Sequence, residues 1–292
     1  MPASVIDVLR SQVFVTAPEL RVLLVAAEPP LVLEAVAPAD RADRDGARQA
    51  ALPIRVPGSV TVRFPEDVAG AGGGTRGRQP LPEIAEFQRT ARRWGLRAGQ
   101  AVVVYGDRGP AARAWWVLRW AGVADVRLLD GGIAAWVAEG YQTSTEASQP
   151  PPGDVELQSG HLPVLDADGA ARVARTGVLL DARGLAAYRG TGGRADDPRS
   201  GHIPGAVSAP TDQNLSRDGR VLAPEHLQQR FSSLGALDPD VEVGVYCGGG
   251  VAACHEIAVL ASLGREAALY PGSWSAWSAD PQRPVASGVE PQ

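Results

Sequence analysis

VEVGVYCGGGVAACHEIAVLASLGREAALYPGSWSAW, residues 241–277, reads as an apolar strand, a glycine-rich loop, a helix and a second short strand. The same pattern occurs earlier, as AVVVYGDRGPAARAWWVLRWAGVADVRLLDGGIAAW at 101–136. Each copy opens on a β-branched run ending in Tyr, at Tyr105 and Tyr246, and each closes on Trp, at Trp136 and Trp277. Strand, loop, helix and strand make a βαβ unit, which calls for a parallel sheet with helices on its faces. Upstream, RVPGSV (55–60) resembles HIPGAV (202–207), and LLVAAE (23–28) is read as the counterpart of LLDARG (179–184). The chain is therefore an α/β protein of two similar units, spanning 1–143 and 154–292. They join through the polar, proline-rich QTSTEASQPPPGD (142–154). GAGGGTRGRQP (70–80) reads as a flexible loop inside the first unit.

Composition narrows the chemistry. All 28 basic residues are arginine, so neither a Schiff-base lysine nor a phosphate-loop lysine exists. The net charge of −5 carries no basic arm for nucleic acid, and no apolar run is long enough for a membrane span. The N-terminus lacks the layout of a signal peptide, so a cytoplasmic location is expected. His161, His202, His226 and His255 are scattered, and Cys247 and Cys254 are the two cysteines. No metal and no cofactor are expected from such spacing.

Cys247 is the candidate nucleophile. It follows the strand Tyr, at the carboxyl end of a parallel strand, where ligands bind in open α/β sheets. Gly248, Gly249, Gly250, Val251 and Ala252 lead into a helix reaching about Leu263. Glycines let successive N–H groups turn inward, and the positive helix end favours a thiolate and any anion carried on it. The first copy has Gly106 in place of Cys247, so one site is expected, in the second unit. Cys254 lies two helical turns further on among apolar neighbours and reads as core rather than as a resolving thiol.

These motifs together resemble the tandem-domain rhodaneses, the thiosulfate and 3-mercaptopyruvate sulfurtransferases. The resemblance rests on LLDAR (179–183), YRGT (188–191), GHIPGAV (201–207), YCGGGVAACHE (246–256) and YPGSWSAW (270–277), with degenerate copies VVVYGD and LLDGGIAAW in the first half. It implies a persulfide on Cys247, filled by a small anionic donor and emptied by cyanide, a thiol or thioredoxin. Thiosulfate enzymes of this kind carry basic residues just after the cysteine, and mercaptopyruvate enzymes carry a loop like CGSGVTA. The uncharged Gly248 and Gly249 lean toward mercaptopyruvate. Arg189 and Arg199 match the arginines that hold the donor carboxylate, with Arg194 also available in the insert. Two departures stand out: Gly249 replaces the loop serine, and Arg55 replaces the histidine of the first HIPGA motif. Asp181 and Arg183 read as a brace for the site, His202 as a structural hydrogen-bonding residue, and Trp274 and Trp277 as packing, with Ser273 and Trp274 at the pocket edge.

Alternatives stay open on donor and role: a thiosulfate-preferring enzyme, or a module that carries sulfur without turnover. A cysteine phosphatase needs arginine six residues after the nucleophile, where Ala253 stands. A thioredoxin-like oxidoreductase needs a CxxC that the chain lacks. No nucleic-acid or membrane partner is expected. The two halves packing on each other predict a monomer.

Overall fold

The computed structural model describes residues 4–38 and 54–291. Its elements, in chain order, are α1 (Val5–Val13), β1 (Phe14–Val15), α2 (Ala17–Leu23), β2 (Leu31–Val36), β3 (Val60–Arg63), α3 (Ile84–Arg93), β4 (Val102–Gly106), α4 (Arg108–Trp120), β5 (Val126–Leu129) and α5 (Gly132–Ala138), followed by α6 (Ala167–Thr176), β6 (Val178–Asp181), α7 (Leu185–Arg189), β7 (Val207–Ser208), α8 (Pro224–Ser233), β8 (Val243–Tyr246), α9 (Ala252–Ser262), β9 (Ala268–Leu269) and α10 (Ser273–Trp277). All strand pairs are parallel. The first sheet runs β1-β5-β4-β2-β3 and the second β7-β6-β8-β9. Val164 bridges Leu269 in the second sheet as β1 bridges β5 in the first.

The duplication extends to single hydrogen bonds. The Tyr105 hydroxyl accepts from Val56 N–H at 3.1 Å, and the Tyr246 hydroxyl accepts from Ile203 N–H at 3.1 Å. Trp136 Nε1–H donates to the Gln142 carbonyl and Trp277 Nε1–H to the Pro284 carbonyl, both at 2.8 Å. The register corrects one sequence equivalence, that of 23–28 with 179–184. Residues 23–28 end α2 and the turn after it; the strand equivalent to β6 is β2. Glu34 lies opposite Tyr105 as Asp181 lies opposite Tyr246, so the counterpart of Asp181 is Glu34 rather than Val25. Strong apolarity in LLVAAE misled the alignment, although that segment spends its hydrophobic residues on a helix end.

The halves share a core. Buried apolar residues of both sheets form one cluster, with α4 of the first half packed against α9 of the second. The linker is not free. Gly153 N–H donates to Arg92 O, Val155 N–H to Leu96 O and His161 N–H to Trp120 O, so the segment is laced to the first half before the second begins. On the opposite side, Arg10 of α1 donates to the carbonyls of Val221 and Leu222 and pairs with Asp130 at 3.2 Å.

His255 and Glu256 are neighbours on α9, both buried in this shared core. Burial, reinforced by the charge of Arg108, pushes the His255 imidazole down to about 4. Burial pushes Glu256 up, although Arg230 pairs with it at 3.0 Å. The two act in opposite senses. The unfolded chain protonates His255 first, so its contribution is present above its ordinary value of 6.5 and is lost as pH falls toward 4. The native chain protonates Glu256 first, so its contribution is present below its ordinary value and is lost as pH rises through the raised one. His255→Gln removes only the first. In urea titrations the variant should gain stability relative to the parent as pH drops from 7 to 5; parallel curves would contradict the assignment.

Candidate active site

β8 delivers Cys247 to the carboxyl end of the second sheet, 3% exposed. The loop that follows is fixed by its carbonyls. Cys247 O accepts from Trp274 N–H at 2.9 Å, Gly248 O from Ser275 N–H at 3.0 Å and from Arg78 at 3.0 Å, and Gly250 O from Arg113 at 2.9 Å. Those three carbonyls are spent on partners outside the loop. Val251 N–H donates to Cys247 Sγ at 3.2 Å. The N–H groups of Gly248, Gly249, Gly250 and Ala252 find no protein acceptor among the described residues. Such a concave run of N–H groups at the start of α9 is an anion cradle. Gly250 needs its glycine: φ is 76°, and a Cβ there would meet Pro271 O at 2.5 Å.

Ser273 locks the back of the loop. Its hydroxyl donates to Tyr270 O at 2.8 Å and accepts from Cys247 N–H at 3.2 Å, while its backbone is held at φ 52°, rare for a residue with a side chain. Arg183 clamps Asp181 through Nε at 2.9 Å and NH2 at 2.6 Å, donates to Gly201 O, and lies 4.6 Å over the Trp274 ring. The pair is a brace one strand away from Cys247. His202 is fully buried, stacked 3.8 Å from Tyr188, with Nδ1 at 2.9 Å from Tyr188 O. Cys254 donates to Gly250 O at 3.3 Å, and burial pushes its thiol up to about 12, so it is part of the core.

The arginines divide. Arg189 is exposed at the end of α7, and its guanidinium has no partner among the described residues. Arg199 donates to the carbonyls of Trp277, Ser278, Asp280 and Arg283, which engages four of the five guanidinium N–H groups. It fastens the C-terminal segment and offers no open fork to a carboxylate. Arg194 pairs with Asp196.

Sequence reading missed three groups because they come from the first half. Arg113, in the middle of α4, is fully buried with no carboxylate beside it; it donates to Gly250 O, to Gln79 O and Pro80 O at 3.0 Å, and to Val68 O at 3.3 Å. Arg78 donates to Gly248 O and pairs with Asp197 of the insert, so a cation does stand beside the loop, with a counter-ion. Gln79 sits over Gly249. Residues 70–80 are thus docked rather than loose: Arg78 N–H donates to Ser275 Oγ at 3.0 Å, and Gly77 lies so close to Gly272 that a Cβ would approach its carbonyl to 2.6 Å. One signal was available, a charge inside the apolar run AARAWWVLRW.

In the first half only Asp107 separates β4, which ends at Gly106, from α4, where Cys247–Val251 separate β8 from α9. The Gly106 Cβ position is blocked by Ala35 O at 2.1 Å. The place holds a cavity of about 610 Å³, lined by Gly106, Asp107, Arg108 and His255 among others, without thiol or loop cradle.

The family model for the Rhodanese-like domain matches residues 50–139 and 166–280. The chain belongs to the rhodanese-like family. It is 41% identical over 287 residues to SseB of Mycobacterium tuberculosis, named a thiosulfate sulfurtransferase, covering 96% of this chain and 99% of that one. It is 47% identical over 222 residues to a protein of Pseudomonas aeruginosa named a 3-mercaptopyruvate sulfurtransferase, covering 74% and 78%. Among solved structures, SseA of Escherichia coli, a 3-mercaptopyruvate sulfurtransferase, superposes with a TM-score of 0.75 at 28% identity, covering 89% and 98%.

Removing Arg113 takes a charged donor from four carbonyls at once and leaves Val68 O and Gln79 O with no donor among the described residues. Hydrogen bonds to charged groups contribute about 1.5–3 kcal/mol each and do not add fully. Arg113→Met should therefore lower unfolding stability in urea by about 3 kcal/mol or more and slow sulfur transfer. A stable, fully active variant would refute this role.

Proposed function

We propose that this sulfurtransferase carries one sulfur atom as a persulfide on Cys247, taken from 3-mercaptopyruvate and passed to a thiol or cyanide. The observation that supports it is the cradle: a buried strand-end thiol that accepts from Val251 N–H, in a loop whose Cys247, Gly248 and Gly250 carbonyls are bound elsewhere and whose Gly248, Gly249, Gly250 and Ala252 N–H groups have no protein acceptor among the described residues. A persulfide anion there is stabilised by the fixed amide dipoles and the start of α9. The Cys247 thiolate attacks the donor sulfur. A sulfur–sulfur bond forms, the carbon–sulfur bond breaks, and its electron pair leaves as the pyruvate enolate, which takes a proton from water. An acceptor thiolate or cyanide then attacks the outer sulfur and frees the Cys247 thiolate.

Charge balance favours the keto acid. The cation beside the loop, Arg78, is already paired with Asp197, so the site offers little net charge to the thiosulfate dianion. A monoanionic carboxylate needs one free guanidinium, and Arg189 has its fork open. Arg78 is also the observation behind the second reading, in which thiosulfate displaces Asp197 and leaves as sulfite.

After incubation with 3-mercaptopyruvate, peptide mass spectrometry should find one added sulfur on Cys247 and none on Cys254. Cys247→Ser should abolish transfer with the fold intact. Absence of an adduct from either donor would sink the persulfide reading. Arg189→Ala should raise KM for 3-mercaptopyruvate about tenfold or more, the loss of one charge-assisted pair, whereas Arg199→Ala should lower the melting temperature and leave KM near the parent value. The reverse pattern would reassign the carboxylate site to Arg199.

A further inference from the structure

We propose that Gln79, contributed by the first half, determines donor specificity by hydrogen-bonding the keto oxygen of the donor as it becomes an enolate; the inference rests on the Cys247 persulfide reading above. The amide of Gln79 lies directly on the catalytic loop, since a Cβ built on Gly249 would fall 2.2 Å from its Oε1. The absence of a side chain at Gly249 is what lets an amide from another part of the chain reach the loop, two residues past the nucleophile. Its backbone is pinned from both sides. Arg113 donates to Gln79 O, and the preceding Arg78 is held by Ser275 Oγ through its N–H and by Gly248 O through its guanidinium. Gln79 is only 7% exposed, yet its amide makes no hydrogen bond among the described residues. The residue is mostly covered, and its amide lies on the loop that carries Cys247 with its N–H capacity unspent.

An amide neither gains nor loses a proton near neutral pH, so Gln79 can stabilise charge without acting as an acid. The benefit differs between donors. The keto oxygen of mercaptopyruvate is neutral before transfer and anionic after it, so a hydrogen bond to it strengthens in the transition state. Thiosulfate carries its charge over several oxygens throughout, so one amide serves its ground and transition states almost equally.

Gln79→Met keeps the length and burial and removes the hydrogen bond; Gln79→Glu keeps the shape, loses the donor and adds a charge. In steady-state assays, Gln79→Met should lower kcat for 3-mercaptopyruvate about ten- to a hundredfold with KM nearly unchanged, the mark of an interaction made in the transition state. Its kcat/KM for thiosulfate should stay within about threefold of the parent, and Gln79→Glu should be slower still with mercaptopyruvate. Gly249→Ala, which displaces the amide, should reproduce the loss in the parent and add little to Gln79→Met. Equal losses with both donors, or no loss in a folded Gln79→Met protein, would overturn the role of Gln79 while leaving Cys247 in place. Failure of the parent itself to acquire sulfur from either donor would instead remove the persulfide chemistry on which the role depends.

Discussion

A single buried cation, Arg113, ties the two halves into one site. Its guanidinium lies in the middle of α4 and bonds only to carbonyls, one from the catalytic loop and three from the first-half segments that cover it. Burial works against the charge and lowers the proton affinity of Arg113, but a guanidinium in a protein keeps its proton. The charge is therefore retained beneath the loop without a carboxylate to cancel it. Holding Gly250 O fixes which way the loop amides face, and holding Gln79 O and Pro80 O fixes the roof. The second half supplies the thiol and the cradle; the first half supplies the support and the cover.

This explains why a duplicated fold keeps a half without a nucleophile. With only Asp107 between β4 and α4, the first copy has no loop long enough to form a cradle. What it retains is a helix to pack on α9 and a docked segment, 70–80, to close over Cys247. The shared apolar core makes the two copies one unit, so the geometry at Cys247 depends on residues more than a hundred positions away.

Much of this was legible in the sequence. The βαβ periodicity pointed to the parallel sheets, and the strand-end cysteine before three glycines pointed to the candidate site, because both are local patterns with fixed physical meanings. Asp181 with Arg183, and His202, read in the sequence as supports, make the contacts described above. What escaped was non-local. Gln79 and Arg78 lie in a glycine-rich stretch that composition assigns to a flexible loop, yet Gly72, Gly77 and Gly249 are glycines because other backbone or side-chain atoms occupy the space a Cβ would need. Arg199 matched the expected motif, but sequence could not show that four carbonyls of the C-terminal segment use its donors. Equal Tyr-to-Trp spacing in the two copies hid the shortened first loop, since α4 starts earlier and runs longer than α9.

The central claim is that the loop amides receive the transferred sulfur. The most direct measurement is a crystal structure of the protein after loading with 3-mercaptopyruvate. The account predicts a second sulfur on Cys247 Sγ, pointing into the loop and within hydrogen-bonding distance of the N–H groups between Gly248 and Ala252. A persulfide turned away from those groups, or sulfur bound elsewhere with Cys247 unmodified, would contradict it.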